Sequence, residues 1–159
     1  MSLSRTDVRE ILPKALGEKL AGVAVEALES RGQLYLRVAA ANLPELCRFL
    51  RDDPEWRFDF LSLVSGVDWL GASPRFEVVY QLRSLAHNHR VGLKVPVPDD
   101  SLTIPSVTGI WRGADWMERE VFDLYGVRFD GHPNLKRIMM PDDWEGHPYR
   151  KDFPLAGRG

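Results

Sequence analysis

Past Gly126 the chain carries Pro133, Pro141, Pro148 and Pro154, each of which breaks a helix, and Gly131, Gly146, Gly157 and Gly159, each of which weakens a strand. The same stretch holds Phe129, Leu135, Ile138, Met139, Met140, Trp144, Tyr149, Phe153 and Leu155, too apolar a set for a solvated, disordered tail. A long segment without regular structure in a compact domain is usually functional, and large side chains need a surface to lie on. The predicted arrangement is an α+β core over 1–125 followed by an extended strap, 126–159, that belongs to the same domain and lies over a partner. Beyond Pro141 such a strap is expected to be mobile until the partner orders it.

Directly upstream the pattern predicts a helix over Asp115–Tyr125. Asp115 and Glu118 have capping-box spacing, and Gly126 suits the left-handed position that ends a helix. Met117, Val121, Leu124 and Tyr125 form one apolar stripe, expected to face the domain's own sheet. Glu118, Arg119, Glu120 and Asp123 are left for the remaining surface, with Arg119 and Asp123 spaced for an intrahelical ion pair.

The rest of the chain supplies a sheet. A first helix capped by Thr6 or Asp7, the latter in box spacing with Glu10, is predicted to run to about Leu20, with Pro13 kinking it or delaying its start. Val23–Leu28 and Gln33–Val38 alternate around Glu29-Ser-Arg-Gly32, a hairpin pattern. Asn42 is the expected cap of a second helix that starts near Pro44 and ends before Asp53-Pro54. Phe58–Val64 reads as a central strand closed by a turn at Ser65-Gly66, and residues 68–74 as a loop. Arg75–Leu82 and Arg90–Val97 alternate at period two, joined through Ser84–His89. Strands interrupted by so few helices predict an α+β domain with a mixed sheet of about five strands and helices on one face.

Composition narrows function by exclusion. With 159 residues and 44% apolar content, one domain can bury a real core, and a net charge of −2 gives no reason to expect nucleic acid or an anionic membrane as partner. The uncharged runs are too short and Pro-broken to span a bilayer, and the N-terminus has no signal-peptide core, so a soluble cytoplasmic chain is expected. Cys47 is the sole cysteine, which excludes an internal disulfide, and its stripe with Leu43, Leu46 and Leu50 marks it as a buried hydrophobe.

No constellation in the chain reads as an active site. Glu118, Glu120 and Asp123 share one helix, with no sign of the contrasting environments that acid/base catalysis needs. His132, His147, Asp142, Asp143 and Glu145 lack the short paired spacing of a metal site, and His87-x-His89 falls in a hairpin loop. A stand-alone metal-dependent hydrolase built on His132 and His147 is the contrasting reading. Lys136, Arg137, Arg150 and Lys151 are candidates for inter-subunit ion pairs. Trp144, Tyr149, Arg150 and Phe153 are candidate anchors, because aromatic and Arg residues dominate interface energetics.

Three blocks carry a family resemblance: Glu-Arg-Glu-x-x-Asp-Leu-Tyr (Glu118–Tyr125) followed by His132 and Lys136-Arg-Ile-Met139, the run Pro141–Leu155, and the lead-in Pro105–Trp111. Together they cover about the last third of the chain and resemble the 30-kDa subunit of respiratory complex I. That family comprises the C-type subunit of bacterial NADH:quinone oxidoreductase and the J-type subunit of the chloroplast NADH dehydrogenase-like complex. Tyr149 stands where the family pattern has a smaller aliphatic residue. The resemblance implies a structural and assembly role in the peripheral arm of a proton-translocating enzyme, with no catalytic, cofactor or metal residues in this chain. FMN and iron–sulfur clusters are expected in partner subunits, and the implied partners are chiefly the 49-kDa-type subunit and neighbouring iron–sulfur subunits. It also implies attachment to the cytoplasmic side of the inner membrane through the complex. The candidate interface residues are Glu118, Arg119, Glu120, Asp123, His132, Lys136, Arg137, Trp144, His147, Tyr149, Arg150, Lys151 and Phe153. The same module in membrane-bound hydrogenase or F420H2 dehydrogenase complexes is the alternative within the family's reach.

Overall fold

The computed structural model describes residues 5–156, with side chains from Val8 onward. In chain order it contains α1 (Arg5–Lys19), β1 (Val25–Ser30), β2 (Gln33–Val38), α2 (Leu43–Asp52), β3 (Phe60–Asp68), β4 (Phe76–Ser84), β5 (His89–Pro96), β6 (Thr103–Pro105), α3 (Ala114–Tyr125) and β7 (Arg128–Asp130). β1 to β5 form one sheet in the order β1-β2-β5-β4-β3, antiparallel throughout except for the parallel pair β2–β5. The fold is therefore the expected α+β arrangement with a mixed five-stranded sheet.

The period-two patterns decide which face is buried. Leu36 lies opposite Leu93, Leu93 opposite Tyr80, and Tyr80 opposite Val64, so one row of large buried side chains crosses four strands. The next row, Arg37, Lys94, Val79 and Ser65, points the other way and remains partly or fully exposed. The helices cover the first face: Leu12 and Leu16 of α1, and Leu46, Cys47 and Leu50 of α2, join the same core. α1 runs through Pro13 without ending there, and the buried Leu12 and Leu16 on either side offset the lost helical hydrogen bond. It already begins at Arg5. The side chains of Thr6 and Asp7, and with them the predicted cap, lie outside the described residues.

Several local expectations are corrected. The β1–β2 hairpin turns on two residues, Arg31 and Gly32, both at positive φ, and β1 starts and ends two residues later than the alternation suggested. Asn42 precedes α2 as expected but makes no side-chain cap, because a 3-10 turn at Ala40–Asn42 leads into the helix and leaves Asn42 in helical geometry. Phe58–Val64 is not central: β3 is an edge strand, and Ser65-Gly66 lie inside it. Gly66 is required there by a close approach, since a Cβ would sit 2.5 Å from the Tyr125 ring of α3.

The core also continues past Tyr125. β7 pairs in parallel with β6, Ile104 opposite Phe129, and Val127 and Phe129 are buried with the sheet residues. The sheets and helices are thus not complete at Tyr125, and the first turn of the strap belongs to the folded body.

Candidate functional site

Asp123 organises the C-terminal half of the chain. Its side chain is fully enclosed; Oδ2 accepts the backbone N–H groups of Ile138, Met139 and Met140 at 3.0, 2.7 and 2.8 Å, and Oδ1 accepts from Arg137 Nη1 at 2.6 Å. Burial alone would raise this carboxyl, but the backbone donors and Arg137 outweigh it and hold Asp123 below its ordinary value. Arg137 reaches on to the Gly146 carbonyl at 2.9 Å, tying the next turn of the strap to the same point.

Glu118 is equally closed to solvent. It accepts from the Val107 N–H and the Ser106 hydroxyl, both at 2.7 Å, so it ties α3 to the segment before it and does not cap its own helix. The expected capping box is absent: Gly113 occupies the N-cap and contributes no side-chain bond. Burial pushes the Glu118 carboxyl up to about 7 against these donors. Arg119 donates to the carbonyls of Lys136 and Arg137 at 3.0 Å each, not to Asp123, and its guanidinium stacks 5.3 Å from the centre of the Trp116 ring.

The far part of the strap is fastened at the C-terminal end of α3. Gly126 takes the predicted left-handed conformation, φ 81°, and the helix ends there. His147 Nδ1 meets the Asp123 carbonyl at 2.9 Å, the Tyr149 N–H donates to Leu124, and Arg150 Nε donates to the Tyr125 carbonyl at 2.8 Å. Burial lowers the His147 pKa, and nearby Arg150 and Arg137 add to this. The Lys151 N–H then donates to Asp68 at the end of β3, whose carboxylate also takes two bonds from Arg75. Arg75 bridges to Asp152, and Arg75 and Arg150 both stack on Phe76, 4.7 and 5.1 Å from its ring centre. Arg75 first and Lys151 after it keep Asp68 below its ordinary value despite burial. The sequence pattern puts Asp68 in a loop and Arg75 at the start of a strand and gives neither a role, because a partner 83 residues away leaves no local pattern.

The predicted interface residues therefore separate into three groups. Glu118, Arg119, Asp123 and the His132 side chain are enclosed by the chain's own atoms. Arg137, His147, Arg150 and Phe153 are half-buried, while Glu120, Lys136, Trp144, Tyr149 and Lys151 are exposed. Trp144 stacks on Phe153, and Tyr149 meets Tyr125 edge-on. Trp116 and Met139, not among the predicted interface residues, are 66% and 60% exposed in the same C-terminal half of the chain. His132 bonds Asp115 at the start of α3 and His147 bonds Asp123 near its end, roughly 12 Å along the helix, so the two do not share a metal. Among the described residues no group of three or more His, Cys, Asp or Glu could hold an ion, and no helix is long and apolar enough to cross a membrane.

Known proteins resemble this chain over nearly its whole length. The C subunit of NADH-quinone oxidoreductase from Roseiflexus sp. (strain RS-1) is 50% identical over 156 residues, 98% of this chain and 87% of that protein. The protein of the same name from Salinispora tropica is 48% identical over 152 residues, 95% of this chain and 60% of the relative. Among solved structures, a trypsin-resistant fragment of Nqo5 superimposes with a TM-score of 0.67 at 31% identity, covering 83% of this chain and all of the fragment. A chain of the membrane-bound sulfane sulfur reductase, an archaeal respiratory membrane complex, gives a TM-score of 0.74 at 28% identity over 92% of this chain and 85% of its own. Residues 36–159 match the family described as respiratory-chain NADH dehydrogenase, 30 Kd subunit, and the chain belongs to that family.

Proposed function

We propose that the chain is a structural subunit of a proton-translocating NADH:quinone oxidoreductase, docking on neighbouring subunits of the peripheral arm and carrying no electrons itself. The NADH-linked reading is preferred to a hydrogenase-type or F420H2-linked complex because relatives at about 50% identity are NADH-quinone oxidoreductase subunits, whereas the archaeal reductase chain is only 28% identical. The observation that carries the non-catalytic part of the proposal is the use made of the ionisable groups. Glu118, Asp123 and His132 spend their side-chain polar atoms on the chain's own backbone or side chains, and His147 spends Nδ1 on the Asp123 carbonyl.

The exposed strap aromatics, Trp144 and Tyr149, with Lys136 and Lys151, form the docking surface on this reading. The expected partner is the 49-kDa-type subunit, with flavin and iron–sulfur clusters held by other chains and the whole arm on the cytoplasmic side of the membrane. Truncation after Met140 tests this. It keeps the Asp123 bonds to residues 138–140 and the Arg75–Asp68 pair, so the shortened chain should fold. It should fail to co-purify with tagged partner subunits, measured by mass spectrometry of the bound complex. Wild-type yield of assembled complex from the truncated chain would refute the docking role.

A further inference from the structure

The sheet face without helices carries a carboxylate that the chain leaves underused. Glu77 of β4 is 5% exposed, yet among the described residues its side chain accepts no hydrogen bond. Its ion pair is with Arg37 Nη2 at 3.7 Å, beyond hydrogen-bond reach, and Arg37 also faces Glu26 at 3.6 Å. Lys94, the neighbouring cation on this face, stands 4.9 Å over the Tyr35 ring instead. Two carboxylates thus share one guanidinium. Buried carboxylates are ordinarily paired and hydrogen-bonded, because desolvating them is costly.

Glu77 and Arg37 line a pocket of about 250 Å³ whose other walls are Trp69, Ala72, Pro74, Phe76 and Pro96. Trp69 and the adjoining Leu70 are exposed beside it. One carboxylate, with an Arg37 guanidinium that it shares with Glu26 and otherwise apolar walls, does not suit a metal ion, which needs several oxygen ligands. It suits a long basic side chain, whose aliphatic stem packs along apolar surface while its head reaches the carboxylate and the indole face. We propose that this pocket receives a lysine or arginine side chain from a neighbouring subunit, with Glu77 as its counter-ion and Trp69 as its stacking wall. The inference rests on the reading of the chain as a subunit of a complex. It adds a second contact, on the open sheet face, to the strap.

The test uses the intact complex purified through a tag on another subunit. Glu77→Gln keeps the shape of the side chain and removes its charge; because Glu77 accepts no side-chain hydrogen bond and its ion pair with the exposed Arg37 is long, at 3.7 Å, the isolated variant should melt close to the wild type. Across a salt series the variant subunit should leave the complex at lower ionic strength, with its retained fraction down several-fold where the wild type is still held. A photo-reactive phenylalanine replacing Trp69 should cross-link to a partner peptide with a Lys or Arg within a few residues. Equal retention of Glu77→Gln and wild type, or a cross-link to a segment without a basic residue, overturns the pocket while leaving the subunit reading intact. Failure of the wild-type chain to co-purify with any subunit overturns both.

Discussion

Asp123 and Arg137 meet at 2.6 Å across fourteen residues of sequence, with the carboxylate wholly shut away from solvent. The pair is the fixed point from which the chain turns off α3 and begins its extended course. A surface ion pair of this length contributes little, but a buried pair that also satisfies three backbone N–H groups cannot lose one member without leaving the rest unpaired. Asp123→Asn places an amide NH₂ among donors and should lower stability by about 3–5 kcal/mol, the cost of breaking a buried pair. Urea unfolding of the two proteins measures it. Because the folded state holds this carboxyl below its ordinary value, its contribution is complete above the ordinary carboxylate range and is lost as pH falls through the depressed value.

Glu118 has the opposite sign. Its folded pKa is raised from 4.5 to about 7, so between those values the folded chain keeps a proton that the unfolded chain has released. Its contribution to stability therefore declines as pH rises through that window, by at most about 3 kcal/mol, and is flat above it. Glu118→Gln should remove this decline. The difference in unfolding free energy between wild type and variant, followed from pH 5 to pH 7.5, checks the slope.

Leu124 is buried on the same stripe as Val121 and lines a small pocket with Val64 and Ser65 of β3. Leu124→Ala should cost about 2–5 kcal/mol, as expected of a truncation that leaves a core cavity. A loss well under 1 kcal/mol in thermal or urea melts would mean that the stripe does not pack as described.

His147 reports on the strap. Burial and the neighbouring arginines depress its pKa, so it is neutral at pH 7, and the stability that depends on the neutral ring is present above its ordinary value near 6.5. That stability is lost as pH falls, so backbone amides of 144–152 should exchange faster at pH 5.5 than at pH 7.5 after correction for intrinsic rates. His147→Gln should abolish the difference. The same experiment on the isolated chain decides whether the bonds from His147, Arg150 and Lys151 keep the segment in place without a partner.

The sequence determined the elements whose causes are local. Alternation specified β2, β4 and β5 and their buried face, the Met117–Val121–Leu124 stripe specified α3 and its orientation, and Gly126 specified where that helix ends. The run Glu118–Tyr125 with its downstream blocks was enough to indicate the family. Tertiary structure alone decided what the charged residues of α3 do. An i, i+4 spacing suggests Arg119 with Asp123, but burial makes every unpaired polar group costly, so each carboxylate goes where the most donors converge. For Asp123 that place is a turn fourteen residues or more downstream, and for Glu118 it is the segment before the helix. The edge position of β3, the Gly66–Tyr125 contact and the Asp68–Lys151 bond have the same origin. Each depends on which segments arrive side by side once the sheet has formed, and no local periodicity encodes that.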